Sequence, residues 1–167
     1  MKTINYYIFE RSSKKVINEK LKLNNQSKLD KGYHYHPKEY SELLSLLNKL
    51  IKERGEDANL NDIDVSKITD MGGLFKNIDA RPHNINISKW DVRNVTNMYG
   101  MFERCYYFNC DLTDWNVKEV RNMSNMFRDC EQFKGKGLEK WNVINVKHMK
   151  HMFDNCTSLK NRPSWYK

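Results

Sequence analysis

Four eight-residue segments of the chain superpose without a gap: Asp64-Val65-Ser66-Lys67-Ile68-Thr69-Asp70-Met71, Asp91-Val92-Arg93-Asn94-Val95-Thr96-Asn97-Met98, Asn116-Val117-Lys118-Glu119-Val120-Arg121-Asn122-Met123 and Asn142-Val143-Ile144-Asn145-Val146-Lys147-His148-Met149. They recur at intervals of 27, 25 and 26 residues. A period in this range marks a repeat architecture, in which one unit cannot bury its apolar face alone and stacked units share a core. Each segment continues alike. Leu74-Phe75, Met101-Phe102, Met126-Phe127 and Met152-Phe153 follow three and four residues past the Met, Cys105, Cys130 and Cys156 lie three past the Phe, and Trp90, Trp115, Trp141 and Trp165 mark the joins.

Met98, Met101, Phe102 and Cys105 sit at offsets 0, 3, 4 and 7, the spacing of one face of an α-helix of about three turns. Between these stretches, Ile87 to Val92, Leu112 to Val117 and Leu138 to Val143 carry branched and aromatic residues bounded by Asn, Asp and Gly, which predicts brief strands and turns. The expected fold is therefore α/β: a leucine-rich-repeat-like solenoid of four short strand-plus-helix units over residues 59–167. Tyr40, Leu43, Leu44, Leu47, Leu50 and Ile51 predict an amphipathic helix that starts near Pro37, stops at Gly55 and caps the first unit, within a segment 37–58. Upstream, Thr3 to Phe9 and Val16 to Leu23 predict a basic, Tyr-rich β-hairpin in residues 1–36.

The run Trp90-Asp91-Val92-Arg93-Asn94-Val95-Thr96-Asn97-Met98-Tyr99-Gly100-Met101-Phe102-Glu103-Arg104-Cys105 resembles the unit of the BspA-type leucine-rich-repeat family, W-D-V-S-x-V-x-x-M-x-x-M-F-x-x-C. The likeness covers about residues 60 to 165 and extends more loosely to an N-terminal cap over Pro37 to Arg54. It implies the repeat fold, and its members are commonly exported surface proteins with adhesive roles. The chain departs from the pattern in its first unit, which lacks the Cys and carries the insertion Ile78 to His83, and in its third, where Gly135-Lys136-Gly137 replaces Asn-x-Asp.

Composition narrows the function classes. The chain has 167 residues, 39% hydrophobic and 30% charged, with seven Gly and three Pro, so collagen-like and wholly disordered chains are excluded and a packed core is expected. No stretch is apolar for the roughly 18 to 20 residues of a membrane span, and no secretory leader is visible, so the expected location is the cytoplasm, or the cell surface if a leader was removed. The net charge of +8 is uneven: residues 1–36 hold eight basic and three acidic side chains. Abundant Lys and Asn are expected from an AT-rich coding sequence, which weakens any nucleic-acid argument from net charge.

The residues for chemistry are sparse. Cys105, Cys130 and Cys156 occupy one repeated position and are expected to be core thiols on helices about 8 to 10 Å apart, too far for a disulfide. Cys110 leaves that register and is expected to be exposed. His34/His36 and His148/His151 lack a third ligand, the recurring Asp64, Asp91, Asp111 and Asp114 suit turn hydrogen bonds, and no nucleophile or phosphate-loop motif is present, so neither a catalytic residue, a metal nor a cofactor is expected.

What can vary without damaging the ladder is the outward row Lys89, Arg93, Asp114, Lys118, Lys140 and Ile144, the expected partner-binding surface. The function expected is non-enzymatic binding of a macromolecule: an intracellular inhibitor or effector that occludes a partner protein. That partner could be a nucleic-acid-handling bacterial protein or its RNA complex, as for a phage or mobile-element anti-defence protein such as an anti-CRISPR. The alternatives are direct RNA or single-stranded DNA binding through Tyr6, Tyr7, Lys14, Lys15, Lys20 and Lys22, and a surface adhesion module. Both a monomer and an edge-paired homodimer fit the sequence.

Overall fold

The computed structural model describes residues 32–78 and 84–167. The expected hairpin strands, with Tyr6, Tyr7, Lys14, Lys15, Lys20 and Lys22, lie outside the described residues. One α-helix, α1 (Tyr40–Arg54), and a three-residue 3-10 helix at Leu138–Lys140 are the helices among the described residues. No helix there is long and apolar enough to cross a membrane.

The four strand-plus-helix units expected from the spacing are not what the chain forms. Among the described residues there is no continuous strand, and β-type pairing is confined to isolated parallel bridges, Tyr35 with Ile63, Asn59 with Asn86, and the series Asp70, Asn97, Asn122 and His148. The stretches expected to be strands are turns: Trp90 N–H donates to Ile87 C=O, Trp115 to Leu112 and Trp141 to Leu138. The stretches expected to be helices are turns as well, with Met101 N–H on Met98 C=O and Cys105 N–H on Phe102 C=O.

The physical reason lies in where the intervening N–H groups go. Met98, Gly100, Phe102 and Arg104 donate to Asn122, Ser124, Met126 and Arg128 of the next unit, at 2.8 to 2.9 Å, instead of to carbonyls four residues back in their own. Met123, Asn125, Phe127 and Asp129 repeat the pattern onto His148, Lys150, Met152 and Asp154. Gly100 and Arg104 take φ of 55° and 64°, as do Asn125 and Asp129 at 57° and 61°, values that no right-handed helix contains. An i, i+3 apolar spacing serves a turn as well as a helix, because both bring these two residues to one side.

Stacking of the units builds the core. Phe75, Phe102, Phe127 and Phe153 form one column, with successive ring centroids 5.1, 5.5 and 5.9 Å apart and interplanar angles of 8°, 3° and 2°. Trp115, Trp141 and Trp165 form a second at 6.4 and 6.3 Å. Each indole N–H is satisfied by a carbonyl of the preceding unit, Trp90 on Leu60, Trp115 on Ile87, Trp141 on Leu112 and Trp165 on Leu138. Met98, Met101, Met123 and Met126 are fully buried beside them.

Helix α1 closes the first unit. Leu43, Leu46, Leu47, Leu50 and Ile51 are its buried residues, and Gly55, at φ 91°, ends it with its N–H on Ile51 C=O. Arg54 ties the helix down: its guanidinium makes two 2.8 Å bonds to the Asp62 carboxylate and one of 2.7 Å to Asn59 C=O. Tyr35 lies under the same guanidinium, 5.7 Å from ring centroid to Cζ.

Two substitutions test this packing by equilibrium denaturation. Phe127→Ala, in the middle of the column, is expected to cost about 3 to 5 kcal/mol; a loss below about 1 kcal/mol would be incompatible with a shared core. Gly137→Ala is expected to be more costly than Gly100→Ala. A Cβ on Gly137 would meet the Thr113 main-chain nitrogen, whereas one on Gly100 meets only the Glu103 carboxylate at 3.1 Å, both backbones having positive φ.

Candidate recognition surface

A second set of repeated bonds fixes the outward face. In the second, third and fourth units the residue before the core Val is Asp91, Asn116 or Asn142, and its side-chain oxygen accepts the N–H of the residue two ahead: Arg93 at 3.4 Å, Lys118 at 3.2 Å and Ile144 at 3.2 Å. Asp64 does the same for Ser66 at 3.0 Å in the first unit. These are Asx turns, which hold the chain in a tight bend and aim the third residue outward. Val95 N–H on Val92 C=O, Val120 on Val117 and Val146 on Val143 close the next bend.

All six residues of the expected row, Lys89, Arg93, Asp114, Lys118, Lys140 and Ile144, are exposed, Ile144 to 79%. They do not all share one enclosure. Lys89, Arg93 and Asp114 line a shallow concavity of about 240 Å³ together with Tyr33, Asp91 and Asn116, while Lys118, Lys140 and Ile144 lie outside it. Arg93 Nε reaches Asp91 Oδ1 at 2.7 Å, and the Arg93 side chain is 62% exposed. The Tyr33 hydroxyl is pushed up by burial first and then by the carboxylates of Asp64 and Asp91. Tyr33 precedes the first repeat, and no periodicity pointed to it.

The other residues singled out from the sequence fall elsewhere. Asp91 and Asp111 accept turn N–H groups, as does Asp64, whereas no such bond forms at Asp114. Cys110 is buried, not exposed, with its thiol 3.5 Å from Asp111 C=O. The other three thiols are free and buried, but they do not sit on separate helices. They stack on adjacent turns, where Cys130 Sγ donates to Phe102 C=O and Cys156 Sγ to Phe127 C=O, each at 3.0 Å. Burial pushes the Cys105 and Cys156 thiols up to about 12, so the nucleophilic thiolate is suppressed at neutral pH. His34, His36 and His151 each face a carboxylate, Asp62, Asp64 and Asp154, at 3.3, 3.4 and 2.8 Å. Among the described residues no group of three or more His, Cys, Asp or Glu side chains converges as a metal site would require.

The repeat defines the class, and the comparison with protein families places it: the chain belongs to the family described as Mycoplasma protein of unknown function, DUF285, which matches residues 45–166. That span takes in most of α1 and all four units. Neither the curated proteins nor the solved structures include a match to the chain.

One carboxylate on the rim of the third unit carries a pH dependence. Lys136 Nζ lies 2.7 Å from Asp111, and this hydrogen bond, followed by those from Thr113, holds the carboxyl down at about 2. A depressed value means that the folded state loses the contribution as acid is added. The stabilisation is complete above the ordinary carboxylate value of 3.8 and is lost as pH falls through about 2. Unfolding free energies measured between these limits are expected to fall less steeply in Asp111→Asn than in the parent chain; equal slopes would remove Asp111 from the acid response.

Proposed function

We propose that this chain is a non-enzymatic binding protein that recognises a partner protein through the row Lys89, Arg93, Asp114, Lys118, Lys140 and Ile144. One observation carries the reading. Arg93, Lys118 and Ile144 are the same position of three successive units, each exposed and each held by an Asx oxygen on a backbone bonded to its neighbours. A surface already ordered in the free chain loses little entropy on binding, so modest contacts suffice. Four of the six residues are basic, which favours an acidic partner and an association rate that falls with salt. Ile144 adds an apolar contact beside them.

The mode of action that follows is occlusion, the masking of a partner's working surface. The row supplies cations and one carboxylate without an activated nucleophile or a paired acid and base, which suits complementarity better than bond-making.

Chemical crosslinking in a lysate of the source cells, followed by quantitative mass spectrometry, tests the reading. The double variant Arg93→Glu/Lys118→Glu, with both sites on exposed tips, is expected to keep the parent's circular dichroism and to lose at least about tenfold of the captured partner. Capture that survives the variant, or that disappears on nuclease treatment, would overturn it.

A further inference from the structure

The concavity at the Arg93 tip is assembled from three parts of the chain. Tyr33 comes from the segment before the first unit, Lys89, Asp91 and Arg93 from the second unit, and Asp114 and Asn116 from the third. Main-chain bonds fix the first of these parts: Asp62 C=O accepts the N–H groups of His34 and Tyr35, and Tyr35 C=O accepts that of Asp64. The Tyr33 ring also meets the His36 imidazole edge-on, with centroids 6.3 Å apart and planes at 89°. Trp90 and Val92, both buried, form the floor. The Trp90 indole N–H is bonded to Leu60 C=O, so the floor is apolar and held in place.

The rim carries more polar groups than the fold uses. Asp91 Oδ1 holds Arg93 Nε at 2.7 Å, and Asn116 Oδ1 holds the Lys118 N–H at 3.2 Å. Among the described residues, no hydrogen bond or ion pair engages the Lys89 ammonium, the Arg93 Nη groups, the Tyr33 hydroxyl or the Asp114 carboxylate. These groups are of both signs. Two cations and a phenol O–H offer donors to an anion, Asp114 offers acceptors to a cation, and Lys89 and Arg93 are balanced in charge by Asp91 and Asp114. A balanced rim suits a monoanion that carries its own neighbouring cation, whereas a phosphoryl dianion would meet both carboxylates uncompensated. The volume, about 240 Å³, is below the roughly 300 Å³ at which sites for free drug-sized molecules begin, so it accommodates side chains presented by a larger partner.

We infer that this concavity is the specificity pocket of the recognition row and takes an adjacent acidic and basic side-chain pair from the partner protein. The inference rests on the row being the binding surface. The partner's carboxylate lies among Lys89, Arg93 and Tyr33, its cation meets Asp114, and the methylene stems of both cross the floor. Charge order then selects the segment. Two acids would leave one opposed by Asp114, and two bases would face Lys89 and Arg93. Lys118 and Lys140, outside the concavity, still favour a partner that is acidic as a whole.

The blocked dipeptide acetyl-Glu-Lys-amide, titrated into the full chain and followed by amide proton–nitrogen correlation spectra, tests this. The largest saturable shifts are expected at the amides of Tyr33, Lys89, Arg93 and Asn116. Acetyl-Gln-Lys-amide and acetyl-Glu-Gln-amide are each expected to bind at least about fivefold more weakly, and inorganic phosphate more weakly still. Tyr33→Phe keeps the ring, removes only the hydroxyl and is expected to weaken the dipeptide about fivefold. Asp114→Asn is expected to lose the preference for Lys over Gln at the second residue. The inference is overturned by shifts centred elsewhere, by no saturable shift, by phosphate binding as tightly as the dipeptide, or by an unchanged affinity in Tyr33→Phe. Its failure is separable from that of the row: Lys118 lies outside the concavity, so Lys118→Glu alone still lowers capture of the crosslinked partner if only the pocket assignment is wrong.

Discussion

The main-chain bond from one unit to the next is the interaction on which everything else depends. It takes the N–H groups that an α-helix would spend on itself and hands them along the stack, so the unit is stable only because a neighbour follows or precedes it. Once the units are joined at this spacing, identical side chains fall above one another. The Phe and Trp columns are a consequence of that register, and their burial in turn stabilises it. Helix α1 packs on the first unit, and Trp165 with Tyr166 packs on Phe153 of the fourth.

The same register explains a composition that seemed incidental. Many of the Asn and Asp residues sit at Asx turns: Asn59, Asn86 and Asp111 in one column, Asp64, Asp91, Asn116 and Asn142 in a second, Asp70, Asn97 and Asn122 in a third. A chain folded almost wholly into bends needs side chains that satisfy bend N–H groups locally, and Asn and Asp do this two residues ahead. Coding bias is not required to account for them. Asn97 further binds Asp70 across units at 2.9 Å, so the turn residues also hold the stack.

The exposure of the candidate surface was legible because surface position follows from repeat position. Once Val92, Val117 and Val143 are recognised as equivalent inward residues, Arg93, Lys118 and Ile144 must point out, and all three do. The concavity was not legible, since Tyr33 comes from a segment outside the period and is placed by the Tyr35 to Ile63 bridge. Cys110 was misplaced for a related reason: a residue out of register with the repeated thiols need not be exposed when the chain bends every few residues.

The amino-acid sequence alone determined the period of the repeat and the residues that share each column, because recurrence at 25 to 27 residues is a property of the chain and not of its conformation. Tertiary structure decided what each unit is. Offsets of 0, 3, 4 and 7 satisfy a helix and a series of turns equally well, and only the destination of the N–H groups separates the two. That destination is a neighbouring unit about one period away, so local spacing cannot encode it; the positive φ at Gly100, Arg104, Asn125 and Asp129 is the backbone's answer to it.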